Sequence, residues 1–231
     1  MNFFAINFFH KIDSFGKDNF KGIQKIHKKD SYRLGGSLIF LSILIPCIIT
    51  IERLNILLYF IGILPIFFIG FLEDVYKEIS VSLRLIFIFI SSTIIILISG
   101  SVIEDADLKF FNAFLQIPFM PYIFTIVGIS VAANSWNLID GLNGLASGLS
   151  VVILFSMGSL ANLEGLSYLS EISWVVASAT LGFFLINIFS GRIFLGDAGS
   201  LTLGVIIGWI GVEISTNSIN ISVWLIFFII I

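Results

Sequence analysis

The sequence predicts an all-α, polytopic integral-membrane helical bundle with about seven complete spans and a truncated eighth. Two observations support this prediction. The 231 residues are 58% hydrophobic and only 12% charged, and the apolar residues gather in runs long enough to cross a bilayer. Soluble domains carry roughly 25% charged residues, so this chain lacks the polar shell that it would need in water. The net charge of −3 also argues against nucleic acid as a partner.

The first span is predicted at residues 34–51, a run of 18 residues without a charge. At ~1.5 Å per residue this run is ~27 Å long as a helix, about the thickness of the hydrocarbon core. A last run, residues 221–231, stops within its span, and we expect the chain to be truncated there. Six further apolar runs lie between these two, at residues 56–72, 85–103, 119–133, 145–163, 172–189 and 201–216.

The positions of Lys and Arg predict how the bundle is oriented. If the runs alternate across the bilayer, ten of the 12 Lys and Arg residues share a side with residues 1–33. Only Arg53 and Lys109 fall on the other side. Because short loops rich in Lys and Arg stay in the cytoplasm, we expect the first side to be cytoplasmic. Its loops are residues 73–84, 134–144 and 190–200.

Four acidic residues lie on this predicted cytoplasmic side, at the ends of apolar runs: Glu73, Asp74, Asp140 and Asp197. Carboxylates at such positions are unfavourable to desolvate and usually mark an ion or substrate site. Several of them together repel one another unless a cation lies among them. Mg²⁺ meets this need, since it binds oxygen ligands and is typically held by one or two carboxylates together with substrate phosphates.

The neighbouring residues favour a phosphate or nucleotide as the ligand. Glycines flank Asp140 and Asp197 and allow a ligand to approach the backbone closely. Each acid taken alone could instead cap a helix or lie in a solvated loop, but the set as a whole favours one shared site. The cations that can neutralise phosphate are Lys77, Arg84 and Arg192, and the amides that can bind a base or sugar are Asn137, Asn143 and Asn187.

Two Gly-x-x-x-Gly pairs leave the oligomeric state open. Gly144 and Gly148 form one pair, and Gly204 and Gly208 form the other. Such pairs are typical of a helix–helix dimer face or of close packing inside one bundle. We favour packing inside the bundle and keep a homodimer as the alternative.

Four segments resemble motifs of the polyprenyl-phosphate N-acetylhexosamine-1-phosphate transferases of glycosyltransferase family 4. This family includes the phospho-MurNAc-pentapeptide translocase and the undecaprenyl-phosphate GlcNAc-1-phosphate transferases. The likeness runs from about residue 18 to residue 208, and the last two motifs are the most specific. The segments are residues 25–36 (KIHKKDSYRLGG), residues 70–77 (GFLEDVYK), residues 134–146 (NSWNLIDGLNGLA), and Asn187 with residues 192–200 (RIFLGDAGS).

The resemblance implies a role for each acid. Asp197 would be the main ligand of Mg²⁺, with Mn²⁺ as an alternative metal. Glu73 and Asp74 would lie beside the metal and the polyprenyl phosphate, and Asp140 would help to bind the nucleotide.

The resemblance also implies roles for the substrate-binding residues. Asn143 would assist Asp140 at the nucleotide, and Phe194 would stack near the uracil. Asn137 and Asn187 would line the same pocket. The phosphates would be held by Lys77, Lys28 and Lys29, together with Arg192.

The reaction implied by the resemblance is attack of undecaprenyl phosphate on the β-phosphorus of a UDP-N-acetyl sugar, with release of UMP. Its setting would be the cytoplasmic face of a bacterial inner membrane, at the start of O-antigen or other cell-envelope glycan synthesis. Residues 1–33 would then be a basic cytoplasmic segment, and residues 34–231 a transmembrane catalytic domain that is incomplete at its C-terminus.

Three departures from the family pattern keep other functions open. Glu73 stands where many members have aspartate. Asn143 stands where the translocase has aspartate, which leans away from the pentapeptide substrate. The later cytoplasmic loop with its expected histidines is absent, so an inactive fragment is one alternative. The translocase of peptidoglycan synthesis is a second, and a polytopic transporter with acids along a cation path is a third.

Overall fold

The computed structural model describes residues 17–18, 31–50, 54–218 and 220–230. Lys28, Lys29 and most of the predicted segment 1–33 therefore lie outside the described residues. Two short strands pair antiparallel, β1 (Lys17–Asp18) with β2 (Ser31–Tyr32). The helices are α1 (Gly35–Thr50), α2 (Leu54–Tyr76), α3 (Val81–Ser99), α4 (Lys109–Leu115), α5 (Met120–Ile139), α6 (Leu145–Leu163), α7 (Ser167–Ser190), α8 (Gly196–Asn217) and α9 (Val223–Ile230).

The predicted fold class is confirmed. In the described part of the chain, six helices are long and apolar enough to cross a membrane: α2, α3, α5, α6, α7 and α8. Helix α1 is a shorter apolar helix at the place of the first predicted span. Helix α9 is eight residues long and lies at the place of the truncated run. The protein is therefore an all-α, multi-pass membrane protein.

Helix α8 is the central element of the bundle, and nearly all of its 22 residues are buried. Glycines let its neighbours approach closely. A Cβ added to Gly204 would lie 2.5 Å from the Ala133 Cα of α5, and one added to Gly208 would lie 3.1 Å from the Ile129 Cα. These two glycines therefore pack inside the bundle, as favoured from the sequence.

The other glycine pair also packs inside the bundle. Gly144 and Gly148 face the Phe184 side chain of α7, where added Cβ atoms would lie 3.1 and 2.9 Å from the ring. Both pairs thus serve contacts between helices of one chain. The homodimer stays a prediction.

The first turn of α8 is held by close contacts with α1 and α2. An added Cβ at Gly36 would overlap the backbone of Gly199, and one at Gly70 would lie 2.7 Å from the Ala198 Cα. Glycine at these positions brings the last turn of α2 directly against the N-terminus of α8. We call this end of the bundle the Asp197 end.

The opposite end, which we call the Glu213 end, contains a buried carboxylate. Glu213 accepts hydrogen bonds from Tyr59 of α2 at 3.2 Å and from Tyr168 of α7 at 2.8 Å. Trp209 and Asn217 of its own helix donate at 3.2 and 3.1 Å. Neutral donors from three helices therefore solvate this carboxylate in place of water.

Several helices extend further than the apolar runs predict. Helix α2 continues through Glu73 and Asp74, and α5 includes Asn137, so these residues lie in last turns rather than in loops. Helix α8 begins at Gly196, which puts Asp197 inside the first turn. Apolar runs stop at the first polar residue, whereas the backbone hydrogen bonds of a helix can continue through polar residues.

We predict that Gly70→Ala destabilises the protein, because the added methyl group would overlap the backbone of α8. Overpacking of this kind costs about 1–3 kcal/mol. Gly128→Ala is the matched control, since a Cβ there meets nothing within 4 Å and alanine favours a helix. The two midpoints of thermal unfolding in one detergent would be compared. Equal midpoints would contradict the close approach of α2 and α8.

Candidate functional site

The predicted site residues that the structure brings together lie around the N-terminus of α8. Asp74 accepts hydrogen bonds from the backbone N–H groups of Asp197 at 2.8 Å and Ala198 at 2.9 Å. Its side chain is fully buried. The carboxylate of α2 thus caps the first turn of α8, where unpaired N–H groups and the helix dipole favour a negative charge.

Gly196 makes this contact feasible. It has a φ of +73°, a conformation that side chains other than glycine rarely adopt. A Cβ at this position would lie 2.5 Å from Oδ2 of Asp74. The glycine therefore both turns the chain into α8 and leaves room for the Asp74 carboxylate.

Asp197 points its carboxylate toward a cation from another helix. Nη1 of Arg84, in the first turn of α3, forms an ion pair with Oδ2 of Asp197. The side chains of Arg84 and Asp197 are only 19% and 13% exposed, so water screens this pair weakly. Nε of Arg84 is buried and has no hydrogen-bond partner among the described residues.

Asp140 joins the group from the end of α5. Burial and the negative charge of Asp197 raise the pKa of Asp140 to about 7, against the opposing effects of Arg33 and of a backbone hydrogen bond with Gly196. Asp140 and Asp197 thus lie close enough for their charges to interact. A carboxyl group with a pKa near 7 can exist in either protonation state at neutral pH.

Arg33 is a site residue that the sequence analysis missed. Its positive charge acts on both Asp74 and Asp140. In the sequence, Arg33 is one of the Lys and Arg residues that indicate topology, although it also stands in the first of the four motifs, two residues before Gly35. That position was the available signal.

Backbone pairing fixes where Arg33 lies. On one side of it, Tyr32 donates its N–H to the carbonyl of Arg192 at 3.0 Å, and Phe194 donates to the carbonyl of Tyr32 at 2.8 Å. On the other side, Gly35 donates to the carbonyl of Phe194 at 2.9 Å. The segment that enters α1 is thus joined to the loop that enters α8.

Asn187 holds the same loop from α7. Its Nδ2 donates to the carbonyl of Ile193 at 2.6 Å, and its side chain is buried. Phe194 is half-buried beside it, and the Arg192 side chain is exposed. Asn187 therefore shapes the loop, while Arg192 is accessible to a ligand.

The two other amides lie at the α5–α6 connection, Asn137 in the last turn of α5 and Asn143 in the connection itself. Asn137 donates to Oγ of Ser200 at 3.1 Å and so ties α5 to α8. Asn143 is exposed, and its Nδ2 lies 3.3 Å from the place where a Cβ of Gly191 would be. Asn143 thus faces the loop after α7 and is accessible to solvent.

Glu73 and Asp74 have different surroundings despite being neighbours. Oε2 of Glu73 accepts the backbone N–H of Ile79 at 2.8 Å, which closes the turn between α2 and α3. Lys77 in that turn is exposed and has a φ of 58°. One oxygen of Glu73 therefore stabilises the turn, whereas both oxygens of Asp74 bind the first turn of α8.

The donor set fits a metal that is held mainly by its substrate. Within the described ranges, no three His, Cys, Asp or Glu side chains converge on one point as metal ligands. Asp74 has both oxygens bonded to backbone N–H groups. Asp140 has one backbone hydrogen bond, with Gly196, and Asp197 pairs with Arg84 through one oxygen. One or two carboxylates plus phosphate oxygens is the usual environment of Mg²⁺ at a nucleotide.

Comparison with known proteins finds one matching family. Residues 56–215 match the family described as Glycosyl transferase family 4. The chain is 34% identical over 185 residues to a probable undecaprenyl-phosphate N-acetylglucosaminyl 1-phosphate transferase of Bacillus subtilis (strain 168), covering 78% of this chain and 51% of that protein.

Relatives with a second name are similarly close. The phospho-N-acetylmuramoyl-pentapeptide-transferase of Prochlorococcus marinus (strain MIT 9301) is 31% identical over 212 residues, covering 83% of this chain and 57% of that protein. That of Borreliella afzelii (strain PKo) is 31% identical over 209 residues, covering 76% and 58%. The chain thus spans about half the length of the curated relatives that it matches.

We predict that Asp74→Asn destabilises α8, because the amide would turn an N–H₂ group toward one of the two backbone donors. Loss of one hydrogen bond and of the charge at the helix N-terminus should lower the free energy of unfolding by about 1–3 kcal/mol. Thermal unfolding in detergent measures this change.

Glu78→Gln is the control for that variant, since it removes the same charge from an exposed side chain four residues later. The control should leave the midpoint unchanged. If Asp74→Asn were as stable as the control, the proposed capping of α8 by Asp74 would be wrong.

Proposed function

The chain belongs to glycosyl transferase family 4, and on that premise we propose that it transfers an N-acetylhexosamine-1-phosphate from a UDP-sugar to undecaprenyl phosphate and releases UMP. One observation carries the proposal. Asp74, Asp140 and Asp197, which are far apart in the sequence, meet at the first turn of α8 with Arg33 and Arg84 beside them. This arrangement suits a reaction between two phosphate-bearing substrates.

The chemical difficulty of such a reaction is electrostatic. A lipid phosphate must approach a diphosphate although both are anions, so the site must supply positive charge where they meet. Arg84 and Arg33 lie among the aspartates, and Arg192 and Lys77 are accessible at the same end. We infer that these cations orient and neutralise the phosphates.

A divalent metal completes this neutralisation in the proposal. Asp197, with Asp140 as its neighbour, would hold Mg²⁺ or Mn²⁺ at the diphosphate, where the metal would polarise the phosphoryl oxygens. These two carboxylates fit because neither has both of its oxygens bonded to backbone N–H groups, as Asp74 has. Arg84 is the cation that currently balances Asp197.

Asp74 is proposed as a positioning residue. Both of its oxygens accept backbone hydrogen bonds and the side chain is fully buried, so it is poorly placed to attack a phosphorus atom. It would act by fixing the first turn of α8, and thereby Asp197. This favours direct attack by the lipid phosphate over attack by Asp74.

The nucleotide would bind on the side of Asn143 and Phe194. Asn143 is exposed and Phe194 is half-buried at the two loops that flank the aspartates. We propose that Phe194 stacks on the uracil while Asn143 and Asp140 bind the polar edge of the nucleotide. Asn137 and Asn187 would keep the surrounding helices and loop in place.

We propose that the site faces the cytoplasm of a bacterium, across its inner membrane, and that the product starts a cell-envelope glycan such as O-antigen. The excess of Lys and Arg on the Asp197 end supports this orientation. The pentapeptide translocase remains the second candidate, because relatives with that name are nearly as similar. Asn143 favours the N-acetylglucosamine substrate, as the translocase pattern has aspartate there.

The proposed reaction predicts that membranes carrying the full-length gene product release UMP from UDP-GlcNAc when Mg²⁺ and undecaprenyl phosphate are present. Asp197→Asn should lower the rate at least about 100-fold, because it removes the carboxylate assigned to the metal. Glu104→Gln, an exposed acid at the Glu213 end, is the control and should leave the rate unchanged. An unchanged rate in Asp197→Asn would show that the assignment of Asp197 to the metal is wrong.

Substrate choice is tested by offering UDP-GlcNAc and UDP-MurNAc-pentapeptide to the same membranes. We expect kcat/KM for UDP-GlcNAc to be at least about tenfold higher, which corresponds to a difference of ~1.4 kcal/mol in transition-state binding. Asn143→Asp should lower the ratio of kcat/KM for UDP-GlcNAc to kcat/KM for UDP-MurNAc-pentapeptide. A preference for the pentapeptide substrate would instead assign the chain to peptidoglycan synthesis.

A further inference from the structure

We propose that Arg84 pairs with Asp197 when no substrate is bound, and that it moves to the diphosphate when metal and nucleotide bind. Metal binding would then depend on the nucleotide. This inference rests on the proposed function and adds to it the order in which nucleotide and metal bind. Arg84 would be a positioning residue whose ion pair with Asp197 hinders metal binding until a phosphate is bound.

The ion pair between Arg84 and Asp197 joins two fixed helix ends. Helix α3 begins with Ser80 as its cap, whose side chain accepts the N–H of Leu83. Further along α3, Oγ of Ser91 accepts the N–H of Ile66 at 3.0 Å and ties it to α2. The start of α8 is held by Asp74. Arg84 can therefore leave Asp197 by rotating its side chain, without moving either helix.

Arg84 has unused hydrogen-bonding capacity that points to an anion. A guanidinium has five N–H donors, and one of its nitrogens, Nη1, binds Asp197. Nε is buried without a partner among the described residues. A buried donor without an acceptor is unfavourable, and phosphoryl oxygens can bind two guanidinium donors at once. The diphosphate would supply the acceptor that Nε lacks.

Arg84 and a metal would compete for Asp197. A carboxylate has lone pairs for more than one partner, but both partners here are cations. The two cations would repel each other in a site that is mostly shielded from water. Metal binding at Asp197 is therefore favoured when a diphosphate accepts Arg84.

Thermodynamic linkage makes the inference measurable. If the nucleotide draws Arg84 away, the nucleotide must tighten metal binding, and the metal must tighten nucleotide binding by the same factor. Removing Arg84 should make metal binding without the nucleotide tighter than it is in the wild type. A merely structural Arg84 would predict unchanged or weaker metal binding on removal.

The experiment measures Mn²⁺ binding by electron paramagnetic resonance on the purified chain in detergent, with UDP as the diphosphate probe. For the wild type we expect UDP to lower the Kd for Mn²⁺ about tenfold. For Arg84→Gln without UDP we expect a Kd about tenfold lower than that of the wild type, and a smaller further decrease on adding UDP than in the wild type. Arg84→Met is a second variant of similar size, with the same expectation.

Lys109→Gln is the matched control, because it removes an exposed positive charge at the start of α4, outside the residues assigned to the site, without touching the ion pair. Without UDP, its Kd for Mn²⁺ should stay within about twofold of the wild type, as exposed charges are screened. If Arg84→Gln and Arg84→Met bound Mn²⁺ no more tightly than this control, the inference would be overturned.

If both Arg84 variants fail to fold, the wild type alone still tests whether Arg84 exchanges with the metal at Asp197. Equal Mn²⁺ affinity with and without UDP would overturn the exchange, while loss of Mn²⁺ binding in Asp197→Asn would still support the proposed function. Absence of Mn²⁺ binding by the wild type, even with UDP, would overturn both. The thermal unfolding midpoint of each variant shows whether it is folded.

Discussion

The buried carboxylate of Asp74 against the first turn of α8 is the contact on which the rest of the site depends. A fully buried carboxylate needs hydrogen bonds to replace its hydration, and a helix N-terminus offers unpaired N–H groups of the right polarity. Each partner meets the need of the other. Asp197 supplies one of these N–H groups. Its position, its pairing with Arg84 and its nearness to Asp140 therefore all follow from this contact.

Close packing of glycines makes the contact geometrically feasible. Gly70 lies one turn before Asp74 and lets α2 approach the Ala198 backbone. Gly36 does the same for α1 at Gly199, and Gly196 leaves space for the carboxylate itself. In a bilayer, where lipid competes for apolar surface, such backbone approach is a main source of helix association. The small residues around the aspartates thus have a packing role as well as leaving space for a ligand.

Much of the fold and part of the site could be predicted from the sequence, for identifiable reasons. Long apolar runs report spans directly, because the bilayer imposes one length and one polarity on each. The grouping of Asp74, Asp140 and Asp197 followed from counting these runs. Adjacent residues were harder, since 100° of helix rotation separates Glu73 from Asp74 and directs one to a turn and the other to α8.

Arg33 illustrates what the sequence could not supply. Its place among the aspartates depends on backbone pairing with a loop some 160 residues later in the chain, between Tyr32 and the carbonyl of Arg192. Peptide groups are chemically alike at every residue, so such pairing leaves no trace in side-chain patterns. The helix ends were missed for a related reason: Asn137 continues α5 because Ser200, on another helix, accepts its amide.

The buried Glu213 gives α8 a second fixed point, and this bears on how the protein can move. Tyr59 and Tyr168 hold one end of the helix, and Asp74 holds the other. Sliding α8 by a single turn, ~5.4 Å, would break both sets of bonds at once and leave two carboxylates in an apolar interior. Helix α8 is therefore fixed at both ends, and the other helices pack around it. Any ligand that enters or leaves the bundle would then do so by displacement of the helices and loops around α8, while α8 itself stays in register.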